Sequence, residues 1–490
     1  MSSLKKLVGD TAIYGVSSIV GRFLNWWLVP YYSHIFLAAE YGIVANLYSY
    51  MAFLLVLLTY GMETGYFRFA SRAEDKNLVY SSSLISLFVT SLSFLLMVYT
   101  FSDNIARWME YESHPEYIRW IALIMAFDAF TSIPFAKLRI ESRPIKFAFL
   151  KLVNIFANIF FNIFFLSVCP ALLKGNPDSI VRLVYNEEIG VGYVFISNLI
   201  ASGITLLMLL PDLRIKLRVS RLLLKEMIWY SFPILVVGLA GMVNQNIDKI
   251  LIPKLIPDNQ GPMEQLGIYG ANYKLAVLMN MFIQAFRYAF EPFFFSQVKS
   301  ENNKRGYALI LKYFVIFGLL IFLGISLFID LFKALNILDE SYFSGLKVVP
   351  IVLMANLFLG IYYTLSLWYK LTDKTRYGAY FALIGAAISL VVNIIFIPVY
   401  GYMASAFAVL ICFVVMAALS YFVGQKHFPV NYPIKRIGLY FLLALVIYAL
   451  SVVIKIDTVF LSYLANFVLF SIFLIVVFLL ENKEFRKFLN

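Results

Sequence analysis

About fourteen apolar runs, each close to 20 residues long, follow one another along this 490-residue chain with only short gaps between them. Nothing constrains the fold more. A run of that length covers the hydrocarbon core of a bilayer as one helix, and a spanning segment must satisfy all its backbone polar groups internally. The composition agrees, since 62% of residues are hydrophobic and 14% charged. The expected fold is therefore all-α and polytopic, and no polar stretch is long enough for a separate soluble domain. The longest gap, Cys169 to Gly190, reads as a short external loop. Lys5 and Lys6 flank the first run, which contains Arg22 and has no clear small-residue cleavage site. That run reads as a retained helix and not a cleaved signal peptide. Cys169 and Cys412 lie at or inside apolar runs and read as buried, inert thiols.

The net charge of +12 does not point to nucleic acid. If both termini are cytoplasmic, Lys and Arg crowd the cytoplasmic segments and are sparse outside, which is the positive-inside pattern. This sorting leaves only four basic residues inside spans: Arg22, Lys249, Lys274 and Arg287. Four acids join them: Glu63, Asp128, Asp248 and Glu291. Each such charge is costly at mid-bilayer and should face protein or water.

Seven of the eight, all but Asp128, fall in a helical hairpin that the chain contains twice. From Thr11 to Arg72 and again from Ser231 to Gln297, Gly15 matches Gly238, Asn25 matches Asp248 and Pro30 matches Pro253, all at one offset. After a slightly longer turn, Gly42 matches Gly267 and Tyr48 matches Tyr273; Glu63 then matches Glu291. Further on, Arg139, Arg143 and Asn162 match Lys370, Lys374 and Asn393, again at one offset, and Gly190 matches Gly401. Spans one to six and seven to twelve therefore read as parallel repeats, related by an axis along the membrane normal. The expected organisation is an N-terminal lobe over 1–212, a cytoplasmic basic linker over 213–226, a C-terminal lobe over 227–425 and an extra helix pair over 426–490. The linker, with Arg214, Lys216, Arg218, Arg221 and Lys225 among leucines, reads either as an amphipathic segment on the membrane surface or as a plain positive-inside connection.

If the two hairpins face each other, they line one polar cavity with a cationic side made by Arg22, Lys249, Lys274 and Arg287, with Arg68 nearby. Guanidinium and ammonium groups suit an anionic head group. The alternative is internal pairing: Arg22 with Glu63, Arg287 with Glu291 at helical spacing, Asp248 with the neighbours of Lys249. Asn25, Glu63, Asp128, Asn244, Asp248 and Glu291 are the candidates for polar contact or ion coupling. The amides Asn244, Gln245 and Asn246 could equally tie helices together or meet sugar hydroxyls. No catalytic motif, nucleotide cradle or metal-ligand spacing is present, so the chain reads as neither an enzyme nor a cofactor protein.

Fourteen spans, two six-helix lobes, a final extra pair and a charged first hairpin resemble the polysaccharide-synthesis flippases of the multidrug/oligosaccharidyl-lipid/polysaccharide exporter (MOP) superfamily. The run Gly9-Asp10-Thr11-Ala12-Ile13-Tyr14-Gly15, with Gly21-Arg22 behind it, is similar to that family's opening, as is Ala39-Glu40-Tyr41-Gly42 before span two. The resemblance implies a MATE-like or lipid-flippase-like fold in a bacterial inner membrane. It implies movement of an undecaprenyl-pyrophosphate-linked oligosaccharide to the outer leaflet, as in O-antigen or capsule synthesis, with the pyrophosphate meeting Arg22, Lys249, Lys274 and Arg287. The expected partners are that lipid-linked substrate, membrane lipids, a polysaccharide polymerase and a chain-length regulator. A multidrug or metabolite antiporter of the same superfamily is the nearer alternative, and a membrane glycan polymerase or ligase the more distant one.

Overall fold

The computed structural model describes residues 14, 15, 17, 19–213, 216, 218–296, 303–454, 456 and 458–489. Every regular element among them is helical. Twelve helices among the described residues are long and apolar enough to cross a membrane, so the chain is a multi-pass membrane protein. The two further spans expected around Leu24 and Met279 fall on helix that is interrupted by turns, at Trp27 and at Ala276. Gly9 to Ile13 of the opening motif lie outside the described residues.

The chain divides into two compact units, Met1–Gly267 and Ile268–Asn490. In the first, the principal helices are α1 (Leu28–Ile35), α2 (Ala38–Thr59), α3 (Met62–Ala70), α4 (Lys76–Thr100), α5 (Pro115–Ile140), α6 (Pro144–Ile163), α7 (Gly192–Leu209) and α8 (Arg221–Leu255). Their starts are written in the sequence. Pro115 and Pro144 open α5 and α6, where a missing N–H costs nothing. The Asp75 side chain caps α4 by accepting from the Leu78 N–H at 3.1 Å, and Ser220 caps α8 by accepting from Leu223 at 3.3 Å. Between α2 and α3 two consecutive residues, Tyr60 (φ 35°) and Gly61 (φ 74°), are left-handed. That conformation costs a tyrosine energy and ends α2 abruptly. Helix α5 forms the middle of this unit, packed against α2, α3, α4, α6 and α7.

The loop expected from Cys169 begins later. Pro170 has no N–H for the Leu166 carbonyl, and a π-helical turn over Phe164–Val168 absorbs the mismatch. Helix then resumes over Cys169–Gly175, so the gap starts at Asn176. Cys169 and Cys412 are both buried thiols outside any disulfide.

The repeated prolines meet two different fates. A proline inside a helix deprives the carbonyl four residues earlier of its partner. Near Pro30 the helix gives way at the Trp27 turn. At Pro253 α8 runs straight through, because the Asn46 Nδ2 on α2 donates to the Lys249 carbonyl at 2.8 Å. The Tyr111 hydroxyl in turn donates to Asn46 Oδ1 at 3.0 Å. Asn46→Leu should therefore lower stability by about 1–3 kcal/mol. Adding Pro253→Ala returns a helical N–H to that carbonyl and should recover most of the loss. Thermal unfolding of the single and double variants checks this, and an equally unstable double variant contradicts it.

Further out, α2 meets α9 (Pro262–Leu275) through Gly42 and Gly267, the last residue of the first unit. A Cβ on Gly42 would lie 2.0 Å from the Met263 carbonyl oxygen, and one on Gly267 would lie 1.7 Å from that of Ala38. Only glycine permits two backbones to approach this closely.

The connection ahead of α8 is tied to α4 by three consecutive buried side chains. The Tyr80 hydroxyl donates to the Asp212 carbonyl at 3.1 Å, and Ser81 Oγ accepts from the Arg218 N–H at 2.7 Å. Ser82 Oγ accepts from the Ser220 N–H at 3.3 Å. Lys216 and Arg218–Ser220 are not helical; Arg214, Ile215 and Leu217 lie outside the described residues.

The second unit contains α10 (Val277–Ser296), α11 (Asn303–Ser326), α12 (Val349–Leu365), α13 (Arg376–Tyr400), α14 (Tyr402–His427), α15 (Ile434–Val453) and α16 (Val459–Leu489). Helix α12 is its most enclosed element, packed against α10, α11 and α14. Two residues matched in sequence make the same local bond. Asn162 in α6 and Asn393 in α13, matched in sequence, are both fully buried and both donate to the carbonyl four residues back. Their side-chain oxygens accept from Tyr32 and from Ser405, each at 2.7 Å.

Candidate functional site

The charged residues of the first hairpin and its surroundings lie at the surface or in partial burial. Arg22 and Asn25 are exposed on the helical stretch before Trp27. Gly21, beside Arg22, lets that stretch close onto α6, where the Ile155 side chain occupies the place of a Cβ. Glu63 does not pair with Arg22. It opens α3 and takes an ion pair from Arg139 at the end of α5, at 2.9 Å. Arg68 places its guanidinium 4.2 Å from the Tyr230 ring centroid, a cation–π contact. Asp128, half-way along α5, accepts from Ser202 Oγ at 2.8 Å.

On α8, Lys249 and Asp248 pair with each other. The Lys249 ammonium lies 3.1 Å from Asp248 Oδ1 and donates to the Gln245 carbonyl at 3.0 Å; both side chains are buried. Adjacent residues on a helix point about 100° apart, so only a long flexible lysine can fold back onto its neighbour. Asn244 is buried one turn before them.

In the second unit Lys274 is exposed near the end of α9. Arg287 is half-buried, its guanidinium 4.6 Å from the Tyr363 ring centroid. The side chain of Glu291 lies outside the described residues.

Two basic residues inside spans escaped the sequence sorting. Lys151 lies in α6 and Lys312 in α11, each within a helix that qualifies as a span. Lys312 is buried against Glu481 of α16. Lys151 is exposed, with its ammonium 4.1 Å from the Phe135 ring centroid. Both looked like loop cations because the unbroken apolar run begins after them. Pro144, which opens the helix of Lys151, was the signal that would have placed that lysine inside.

A family model described as polysaccharide biosynthesis protein matches residues 35–335, more than half of the chain. The chain belongs to that family. No curated protein matches it. Among solved structures, this polysaccharide biosynthesis protein is similar to "Lipid II flippase MurJ, inward closed conformation", at 15% identity and a TM-score of 0.71 over 95% of this chain and 99% of that one. It is also similar to an inward-facing multidrug resistance MATE family transporter of the MOP superfamily. That match has 14% identity and a TM-score of 0.65, over 83% of this chain and 94% of that one. A MOP superfamily transporter from Pyrococcus furiosus follows at 14% identity and a TM-score of 0.53, covering 86% and 95% of the two chains. The polysaccharide biosynthesis protein thus has the fold of MOP-superfamily transporters.

Proposed function

We propose that this protein flips an undecaprenyl-pyrophosphate-linked oligosaccharide from the inner to the outer leaflet of a bacterial inner membrane by alternating access. One observation carries the reading: a member of the polysaccharide biosynthesis family has a transporter fold, with Lys249 inside a candidate span and Arg22, Lys274 and Arg287 on the turn-interrupted helical stretches outside those spans. The lipid tail stays in the bilayer while the anionic head group follows the polar residues. Arg22 and Lys249 in the first unit, and Lys274 and Arg287 in the second, meet its phosphates. Asn25, Asn244 and the acids Glu63, Asp128, Asp248 and Glu291 supply polar contact or ion coupling. Lys249 arrives already paired with Asp248, so its role requires that pair to loosen when the head group binds. Arg22 and Lys274 are exposed, so a head group can reach them directly. Both termini are cytoplasmic in this reading, and a polymerase and chain-length regulator receive the product.

The test measures membrane protein level, surface glycan and inner-leaflet lipid-linked oligosaccharide for alanine and lysine variants at all four positions. Losing a charge-assisted contact should reduce export about tenfold or more at normal protein level. Arg22→Lys should retain part of the activity, since charge survives without the planar fork. Four alanine variants with full export would overturn the cationic path.

A further inference from the structure

The hairpin between α5 and α6 carries five cations, and the structure sorts them into two groups. Lys146 and Arg143 converge on the buried Asp212 carboxylate at 2.5 and 3.3 Å, and Lys137 reaches the Asp212 carbonyl at 3.4 Å. That group anchors the connection ahead of α8. Arg139 and Lys151 form a different arrangement. Arg139, on α5, lies over the Phe147 ring of α6, 4.9 Å from its centroid. Lys151, on α6, lies over the Phe135 ring of α5 at 4.1 Å. The two rings meet edge to face, centroids 5.4 Å apart. The result is a reciprocal bracket: two cations, each seated on the opposite helix, flanking one buried aromatic pair.

The bracket is accessible. Arg139 and Glu63 side chains are 42% and 39% exposed, and Lys151 is exposed, while the phenylalanines beneath are buried. Lys151 stands seven residues past Pro144, about 10 Å along the helix. It makes no ion pair among the described residues; its electrostatic neighbours are Asp128, Arg139 and Glu63. A lysine at that depth is costly unless an anion or water meets it. Packing of the helix pair does not demand the arrangement. In the second copy, at the offset that aligns Arg139 with Lys370 and Asn162 with Asn393, the positions of Phe135, Phe147 and Lys151 hold Ser366, Gly378 and Ala382.

Glu63 completes the picture. Its carboxylate fills part of the Arg139 fork, and it opens α3 just after the left-handed pair Tyr60–Gly61. A carboxylate and a phosphate oxygen pair suit the same guanidinium. We propose that Arg139 and Lys151, on their phenylalanine floor, form a binding site for the phosphate groups of a head group, and that Glu63 is a resident stand-in which the incoming phosphate displaces. This rests on the flippase reading for its substrate, but the site itself is tested by binding alone.

The experiment uses the full chain, purified in detergent, with inorganic pyrophosphate as the probe and with thermal unfolding recorded for every variant. Lys151→Gln and Arg139→Gln should each weaken pyrophosphate binding about tenfold or more. Lys151→Arg should keep most of it, and Glu63→Gln should strengthen it by removing the competing carboxylate. Competition separates the sources: displacement by farnesyl pyrophosphate supports the site with a lipid pyrophosphate as occupant, and displacement by phosphatidylglycerol alone supports it with a phospholipid. Unchanged binding in a normally folded Lys151→Gln protein overturns the site. Weaker binding in Glu63→Gln overturns the displacement. Neither result depends on glycan export, so weakened pyrophosphate binding with undiminished export in the same variants would leave the bracket standing and reject the flipped head group as its occupant.

Discussion

Lys312→Met should destabilise the protein by about 3–5 kcal/mol, the range for breaking a buried ion pair from one side. Lys312 and Glu481 are each only 1% exposed. Glu481 Oε2 takes the lysine, and Oε1 takes the Tyr440 hydroxyl at 2.5 Å, with Arg436 at 3.7 Å. One carboxylate thus joins α11, α15 and α16 inside the second unit. With the lysine gone, the half-exposed Arg436 remains, but the other carboxylate oxygen faces methylene groups. Removing both charges gives a different result, because a buried pair gains little over well-packed apolar groups of similar volume. Lys312→Met with Glu481→Leu should therefore be closer to wild type than either single change. Unfolding midpoints in detergent decide it, and a double variant less stable than both singles contradicts the account.

The second large effect is expected at the glycine crossing. Gly42→Ala places a carbon 2.0 Å from the Met263 carbonyl oxygen, and Gly267→Ala places one 1.7 Å from that of Ala38. Neither atom is the end of a flexible side chain, so the helices must part. Overpacking costs about 1–3 kcal/mol, and a clash with backbone belongs at the top of that range. The close contact of α2 with α9 should then lose about tenfold or more of its population. Cysteines at Ala39 and Glu264, on the crossing segments, report it by cross-linking rate. Rates unchanged by either alanine would show that the crossing tolerates a side chain. Glycan export measured alongside tells whether the protein needs this contact in its cycle.

The sequence disclosed the fold class because burial in lipid demands long apolar runs, and those survive any reading of detail. The duplicated hairpin is a reading of matched residues, and of these Gly42 and Gly267 meet at one crossing while Pro30 and Pro253 behave differently. Partners were not legible. Glu63 took Arg139, 76 residues away, and nothing along the chain ranks that cation above Arg22. Lys249 took its own neighbour, which helical spacing disfavours until the length of a lysine side chain is considered. The turns at Trp27 and Ala276 are silent in hydropathy, since apolar residues occupy both sides of each break. Lys151 and Lys312 went unnoticed for a related reason: their helices begin before the unbroken apolar run does. The cationic bracket was invisible because its four members are adjacent only after α5 and α6 pair.

The seam between Tyr80, Ser81, Ser82 and the segment after Asp212 bears on how the chain is made. A nascent polypeptide emerges from its N-terminus, and its earlier parts settle first. The stretch that leads into α8 docks on a helix synthesised more than a hundred residues sooner, through donors and acceptors that exist by then. Helix α8 itself packs on α2, α3 and α4. The elements it packs on most closely were all translated before it. The first unit can thus close around α8 while the ribosome is still translating the rest.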